Sequence, residues 1–141
     1  MAVGLLKNAL NIRKNKDIQI ISAGVIASNG LPASPNAIKV MAEKGIDISD
    51  HKTLSLTKDI IERSDLIFVM TQWHKLEVIG LLERPGKQVY LIKEFVPRNL
   101  SVVNDLEVPD PIGKSIEFYR HARDEIEKCI DGIIKKVLEN Q

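Results

Sequence analysis

Apolar residues recur at helical spacing from the start of the chain. Val3, Leu5, Leu6, Ala9, Leu10 and Ile12 share one face, which predicts a helix over 2–14. The pattern then changes period. The run DIQIIS predicts a strand over 17–22, followed by the loop AGVIASNGLPAS. Ser34 before Pro35 reads as an N-cap with proline at the first helical position. That helix runs through Ile38, Val40, Met41 and Ala42 and stops at Gly45. A short helix over 56–64, LTKDIIERS, leads into DLIFVM at 65–70, an apolar run that suits a parallel strand covered on both faces. A helix over 71–86 closed by Pro-Gly, a strand over 88–92 and an aperiodic stretch over 93–114 come next. The rest reads as one helix, with Ser115 as N-cap and Ile116, Tyr119, Ile126, Cys129, Ile130, Ile133 and Val137 as its buried stripe.

Strands that alternate with helices imply an α/β domain, a doubly wound parallel sheet with helices on both faces. The 141 residues carry no repeat or composition break, so 1–141 reads as a single domain. That length buries a core without disulfides or metals. Twenty basic and nineteen acidic residues leave a net charge of +1, which supplies no global field for nucleic acid or a membrane. No apolar run approaches the ~20 residues of a spanning helix, and MAVGLLKNAL is too short for a signal peptide, so the expected compartment is the cytoplasm. One cysteine excludes an intrachain disulfide. His74 and His121 sit on helices among charged neighbours, and no His/Cys/Asp cluster has ligand spacing; no metal or other cofactor is expected. Arg13, Lys14 and Lys16 form a small basic patch that reads as a solvated helix end.

Four segments taken together, SAGV (22–25), SPNAIKVMAEKGIDISDHKT (34–53), DLIFVMTQWHK (65–75) and VPDPIGKSIEFYR (108–120), resemble the low-molecular-weight protein phosphatase family. That family includes tyrosine and arginine phosphatases. The resemblance covers almost the whole chain in the right order, and MAVGLLKN is similar to the helix that comes after the family's phosphate-binding loop. It implies a flavodoxin-like sheet whose first, central strand, together with a loop of a cysteine, five residues, an arginine and a serine, is missing ahead of Met1. The expectation is therefore an N-terminally incomplete phosphatase domain, inactive as it stands.

The resemblance assigns roles to three residues. Asp110, in VPDPIG, corresponds to the general acid that protonates the leaving group and then activates water for hydrolysis of a phosphocysteine. Pro111 biases Asp110 toward extended backbone, and by itself Asp-Pro also reads as a turn start. Ser22 and His51 correspond to residues that brace the phosphate loop; by themselves they read as a strand-end hydroxyl and a loop histidine. The implied partner is a phosphorylated protein. Ile112 stands where tyrosine-directed members often carry an aromatic residue, and SAGVIASNGLPAS lacks one, which leans toward the arginine phosphatase branch.

Cys129 is the one thiol, but Lys135 lies six positions on and no glycine-rich loop surrounds it; its spacing with Ile126, Ile130 and Ile133 reads as core. Asp105 and Glu107 read as solvated loop charges, and Trp73 suits either a cleft wall or packing. Two rival functions remain open: a non-catalytic pseudo-phosphatase that binds phosphoprotein surfaces, and a small flavin-binding protein. Loss of a central strand would leave two inner edges unpaired, so a chain that is marginally stable, aggregation-prone or edge-paired as a homo-oligomer is expected.

Overall fold

The computed structural model describes residues 1–12, 18–83, 86–97, 99 and 105–140. Its elements are α1 (Ala2–Ile12), α2 (Pro35–Ala42), α3 (Lys58–Arg63), β1 (Leu66–Val69), α4 (Gln72–Gly80), β2 (Gln88–Leu91), a 3-10 helix (Ile92–Phe95), α5 (Ile116–Glu127) and α6 (Ile130–Glu139). β1 and β2 pair in parallel, Leu66 opposite Gln88 and Val69 opposite Leu91.

Side-chain parity along these strands divides the core in two. Ile67, Val69, Val89 and Leu91 join Ile61 of α3 and Val78 of α4 on one face. Phe68 and Met70 meet a larger cluster built from α1, α2, α5 and α6, with Val40, Met41, Cys129 and Ile133 at its centre. The small sheet therefore has helices on both faces, as the alternation of elements predicts. An aromatic group supports the second face: Phe95 meets Phe68 and Tyr90 edge-on at 5.4 and 5.5 Å.

Local signals explain the element ends. The Ser34 hydroxyl accepts from Ala37 N, and α2 closes through Gly45 at φ 71, the left-handed position that glycine tolerates. Thr57 and Thr71 cap α3 and α4 in the same way. Ser115 occupies the N-cap position of α5 in extended backbone but makes no side-chain cap bond.

Four expectations need correction. Of the strand expected over 17–22, the described part, 18–22, forms no ladder: residues 18–23 alternate between half-buried and exposed, yet no ladder joins them to any described residue. Their period of two is that of a strand with one face on a core, but a strand also needs a neighbour. The helix over 71–86 ends at Gly80. The aperiodic stretch opens with the 3-10 helix, stabilised where Leu91 N donates to Glu94 Oε1 at 2.9 Å. The C-terminal helix is two helices, because Cys129 N bonds to Ile126 O three residues back and tightens the backbone at Lys128–Cys129. Residues 13–17, with the Arg13, Lys14 and Lys16 patch, lie outside the described residues.

Two contacts lock the helical layer. Arg123 of α5, 6% exposed, donates to Val40 O at 2.8 Å and to Glu43 at 2.9 Å, while Arg120 forks onto the same Glu43 carboxylate. Val40 O is one of the carbonyls that α2 leaves unpaired at its end, so a neighbouring helix caps it. At the other end of the layer, Gly132 lets α6 close on the 3-10 helix: a Cβ there would lie 2.4 Å from Phe95 O. Gly132→Ala is expected to destabilise the chain by about 1–3 kcal/mol, as overpacking does. Gly80→Ala, where nothing lies within 4 Å, is expected to be neutral or mildly stabilising. Urea denaturation of the two variants beside the parent checks both, and equal midpoints would show that α6 shifts without cost.

Candidate functional site

A cavity of about 550 Å³ opens where four separate segments meet: the first turn of α1, the end of the 18–23 stretch, the 47–51 turn and the 108–111 loop. It contains all three residues singled out from sequence. Ser22, His51 and Asp110 line it together, with Met1 to Gly4 at one wall and Met70 and His74 at another. Among the described residues, no hydrogen bond links these three side chains to one another.

The first wall is the amino end of an eleven-residue helix with no acidic residue in its first turn. Its leading N–H groups have no intrahelical partner, and the helix dipole adds partial positive charge there. Lys7 brings further positive charge to the same cavity, whereas burial lowers the pKa of the Met1 amino group beside it. α1 sits tightly on the next segment; a Cβ on Gly4 would come within 2.8 Å of Ile48 Cγ2. Within that segment Ser49 N donates to Asp47 Oδ1 at 2.8 Å, the turn that sets His51 against the cavity. Burial lowers the His51 pKa, and the positive charges of the Met1 amino group and Lys7 lower it further, which favours the neutral imidazole.

Asp110 is exposed at the rim. Ile112 N donates to its Oδ1 at 2.9 Å, and Gly113 at φ 72 completes the turn. The turn reading of Asp-Pro is therefore correct as structure, and it leaves Oδ2 without a protein partner among the described residues. A carboxyl fixed by one oxygen and open at the other is arranged for proton exchange with a bound molecule.

The loop that carries Asp110 is fastened at three points. Val108, buried, donates its N–H to Met70 O at 2.9 Å. Gln72 N, at the amino end of α4, donates to Glu107 Oε1 at 2.7 Å. Lys93, 7% exposed, pairs with Asp105 at 2.5 Å and with Glu125 at 2.8 Å. Burial alone would lower the Lys93 pKa, but the two carboxylates outweigh it and the net shift is upward. Asp105 and Glu107 are exposed, as expected of solvated loop charges, and each in addition makes one contact that fastens the loop. Neither contact has a signature in sequence, because both partners lie far along the chain. His74 is a further wall residue; its Nδ1 lies 2.7 Å from Thr71 Oγ1, the cap of α4. Trp73 is half exposed, edge-on to the His74 ring at 5.0 Å, and does not line the cavity.

Cys129 lies elsewhere. It is fully buried, its Sγ donates to Glu125 O at 3.2 Å, and burial pushes its thiol up to about 11. A thiolate is not accessible there at neutral pH.

The model of the family described as low molecular weight phosphotyrosine protein phosphatase matches residues 1–141. The chain is 33% identical to a protein-arginine-phosphatase of Geobacillus stearothermophilus over 141 residues, covering 100% of this chain and 88% of that one. It is 31% identical to a probable low molecular weight protein-tyrosine-phosphatase, EpsP, of Ralstonia nicotianae over 137 residues, covering 97% and 86%. Among solved structures, a YwlE arginine phosphatase superimposes with a TM-score of 0.82 at 31% identity, covering 99% of this chain and 88% of that one. In that protein a serine replaces the active-site cysteine close to the amino terminus and carries a phosphoryl group.

Proposed function

The chain belongs to the low molecular weight phosphotyrosine protein phosphatase family, and from that premise we propose that its cavity is the phosphate site of a protein phosphatase, with Asp110 as proton donor. Ser22 and His51 act on geometry rather than on substrate; they hold the loop that carries the nucleophile. That reading is supported above all by one observation: three residues from three distant segments line one cavity with the amino end of α1. A phosphate dianion is attracted to such a helix end.

The YwlE relative carries its active-site position near its amino terminus, and the attacking thiolate is accordingly assigned to the amino end of α1 rather than to Cys129. Cys129 does not serve, being buried and protonated. The reaction is two displacements: a thiolate attacks phosphorus as Asp110 protonates the leaving group, then Asp110 takes a proton from the water that cleaves the phosphocysteine. The preferred substrate is phosphoarginine. The exposed, non-aromatic Ile112 at the rim supports this, as does the similarity to arginine phosphatases.

The rival is a binding module without turnover, favoured by the lack of a reactive thiol among the described residues. The family match leaves the flavin-binding reading without support. The test is direct. Met1–Gln141 alone is expected to leave p-nitrophenyl phosphate unhydrolysed above buffer. A form extended by the amino-terminal segment of the Geobacillus relative is expected to hydrolyse it, and to prefer phosphoarginine over phosphotyrosine peptides. Turnover by the unextended chain that vanishes in Cys129→Ser overturns the assignment of the nucleophile, and an inert extended form favours the binding module.

A further inference from the structure

His74, in the first turn of α4, is half-buried and lines the same cavity as the amino end of α1 and Asp110. Its ring is held from two sides. Nδ1 lies 2.7 Å from Thr71 Oγ1, and the Trp73 ring stands edge-on with its centroid 5.0 Å away. The Thr71 oxygen already accepts from His74 N. Its own hydrogen has no other acceptor among the described residues, so it donates to Nδ1. That places the ring proton on Nε2. Nε2–H has no partner among the described residues. The carboxylates of Asp47, Asp50 and Asp110 share the cavity, yet none of them takes this proton there. The same wall also holds the Asp110 loop. Gln72 N donates to Glu107 Oε1 at 2.7 Å, and Met70 O accepts from Val108 N at 2.9 Å. His74 thus offers the cavity a donor of fixed tautomer, on a ring locked through its other nitrogen.

We infer that His74 contacts the ligand, its Nε2–H donating to a phosphoryl oxygen. The inference rests on the reading of this cavity as a phosphate site and adds a side chain that touches the bound group. The donor's chemistry selects the acceptor. A phosphoryl group presents acceptor oxygens in several directions, so the leading N–H groups of α1 and a side-chain N–H from α4 can hold it together. A guanidinium presents only N–H groups and cannot meet a further donor. His74 therefore reads the phosphoryl part of a substrate and not the group that bears it. Phosphoarginine and phosphotyrosine are held alike at this point, and selectivity between them falls to the rim.

The test uses Met1–Gln141 with phenylphosphonate, a phosphoryl probe that is not hydrolysed. Nitrogen-15 NMR of the imidazoles and backbone follows the titration. The His74 Nε2–H signal and the amides of Ala2 to Gly4 are expected to shift saturably with one common Kd, while the His121 ring stays unchanged. Two variants separate ligand contact from a structural role. The glutamine amide nitrogen reaches the place of a histidine Nε2, and the asparagine amide nitrogen the place of Nδ1. His74→Asn keeps the contact with Thr71 but removes the cavity donor, and is expected to weaken binding about tenfold, the scale of a hydrogen bond to a charged group. His74→Gln is expected to stay within about threefold of the parent. Rescue by asparagine and not glutamine, or equal binding by all three chains, overturns the inference. So does a shift of the α1 amides that leaves His74 Nε2–H unmoved, and in that case the phosphate site stands without it. A titration that moves neither overturns both the inference and the phosphate-site reading.

Discussion

Asp110→Asn, made in a form of the chain extended by a nucleophile-bearing segment, is expected to lower kcat by about 10²–10⁴, the range for a lost general acid. The substitution is well posed because Asp110 has two separable duties. Its Oδ1 accepts from Ile112 N and shapes the turn; an asparagine keeps that acceptor and the shape. Only the exchangeable proton is lost. The fall should therefore be steep for a phosphate ester with a poor leaving group and shallow for p-nitrophenyl phosphate, whose leaving group needs little protonation. KM should hardly move, because the phosphate is held by the opposite wall. A uniform fall across leaving groups would make Asp110 a turn residue and nothing more. Glu107→Ala provides the contrast: it frees Gln72 N and loosens the loop, so it should lower turnover evenly, whatever the leaving group.

Arg123→Ala is expected to cost on the order of 3 kcal/mol of stability. Losing the guanidinium orphans Val40 O, a buried acceptor at the end of α2, which alone costs about 1–3 kcal/mol. The buried stem of the arginine is lost as well. Against a domain stability of roughly 5–15 kcal/mol this is a large fraction. Chemical denaturation of the parent and variant measures it, and a change below about 0.5 kcal/mol would show that water replaces the cap. Acid reads the same cluster. Arg120 and then Arg123 hold the Glu43 carboxyl at about 2, well below its ordinary value near 4.5. A depressed carboxylate pKa stabilises the fold fully above the unfolded value and loses that contribution as pH falls toward the folded one. The melting temperature should thus drop between about pH 5 and 2, and the drop should be shallower in Arg123→Ala.

Helices were the legible part of the sequence. Ser34, Pro35 and Gly45 mark α2 through a hydroxyl, a fixed φ and a left-handed turn, all of which act within a few residues. The strand at 65–70 was legible from its apolar run. The failure at 17–22 is instructive: Ile18 and Ile20 show the right period, but pairing depends on a neighbour that local pattern does not specify. The site was legible only through the ordered resemblance, because Ser22, His51 and Asp110 carry no spacing that ties them together. Lys93 was invisible for the same reason. Its partners Asp105 and Glu125 are set by how the loop folds back on α5, and a lysine after an apolar strand reads as a surface charge. The break at Lys128–Cys129 was also missed, since the apolar stripe continues across it and periodicity tolerates a tightened turn.

The closed position of Cys129 makes the thiol a clock. Alkylating reagents and peroxide react with thiolate, so a sulfur held under α5 with its pKa near 11 is spared while the helices stay together. Iodoacetamide modification then proceeds only through molecules that have opened, and its rate counts those openings. With a single cysteine in the chain the signal has one source, without any engineered label. Anything that tightens the helical layer slows the clock, and anything that loosens it sets it running.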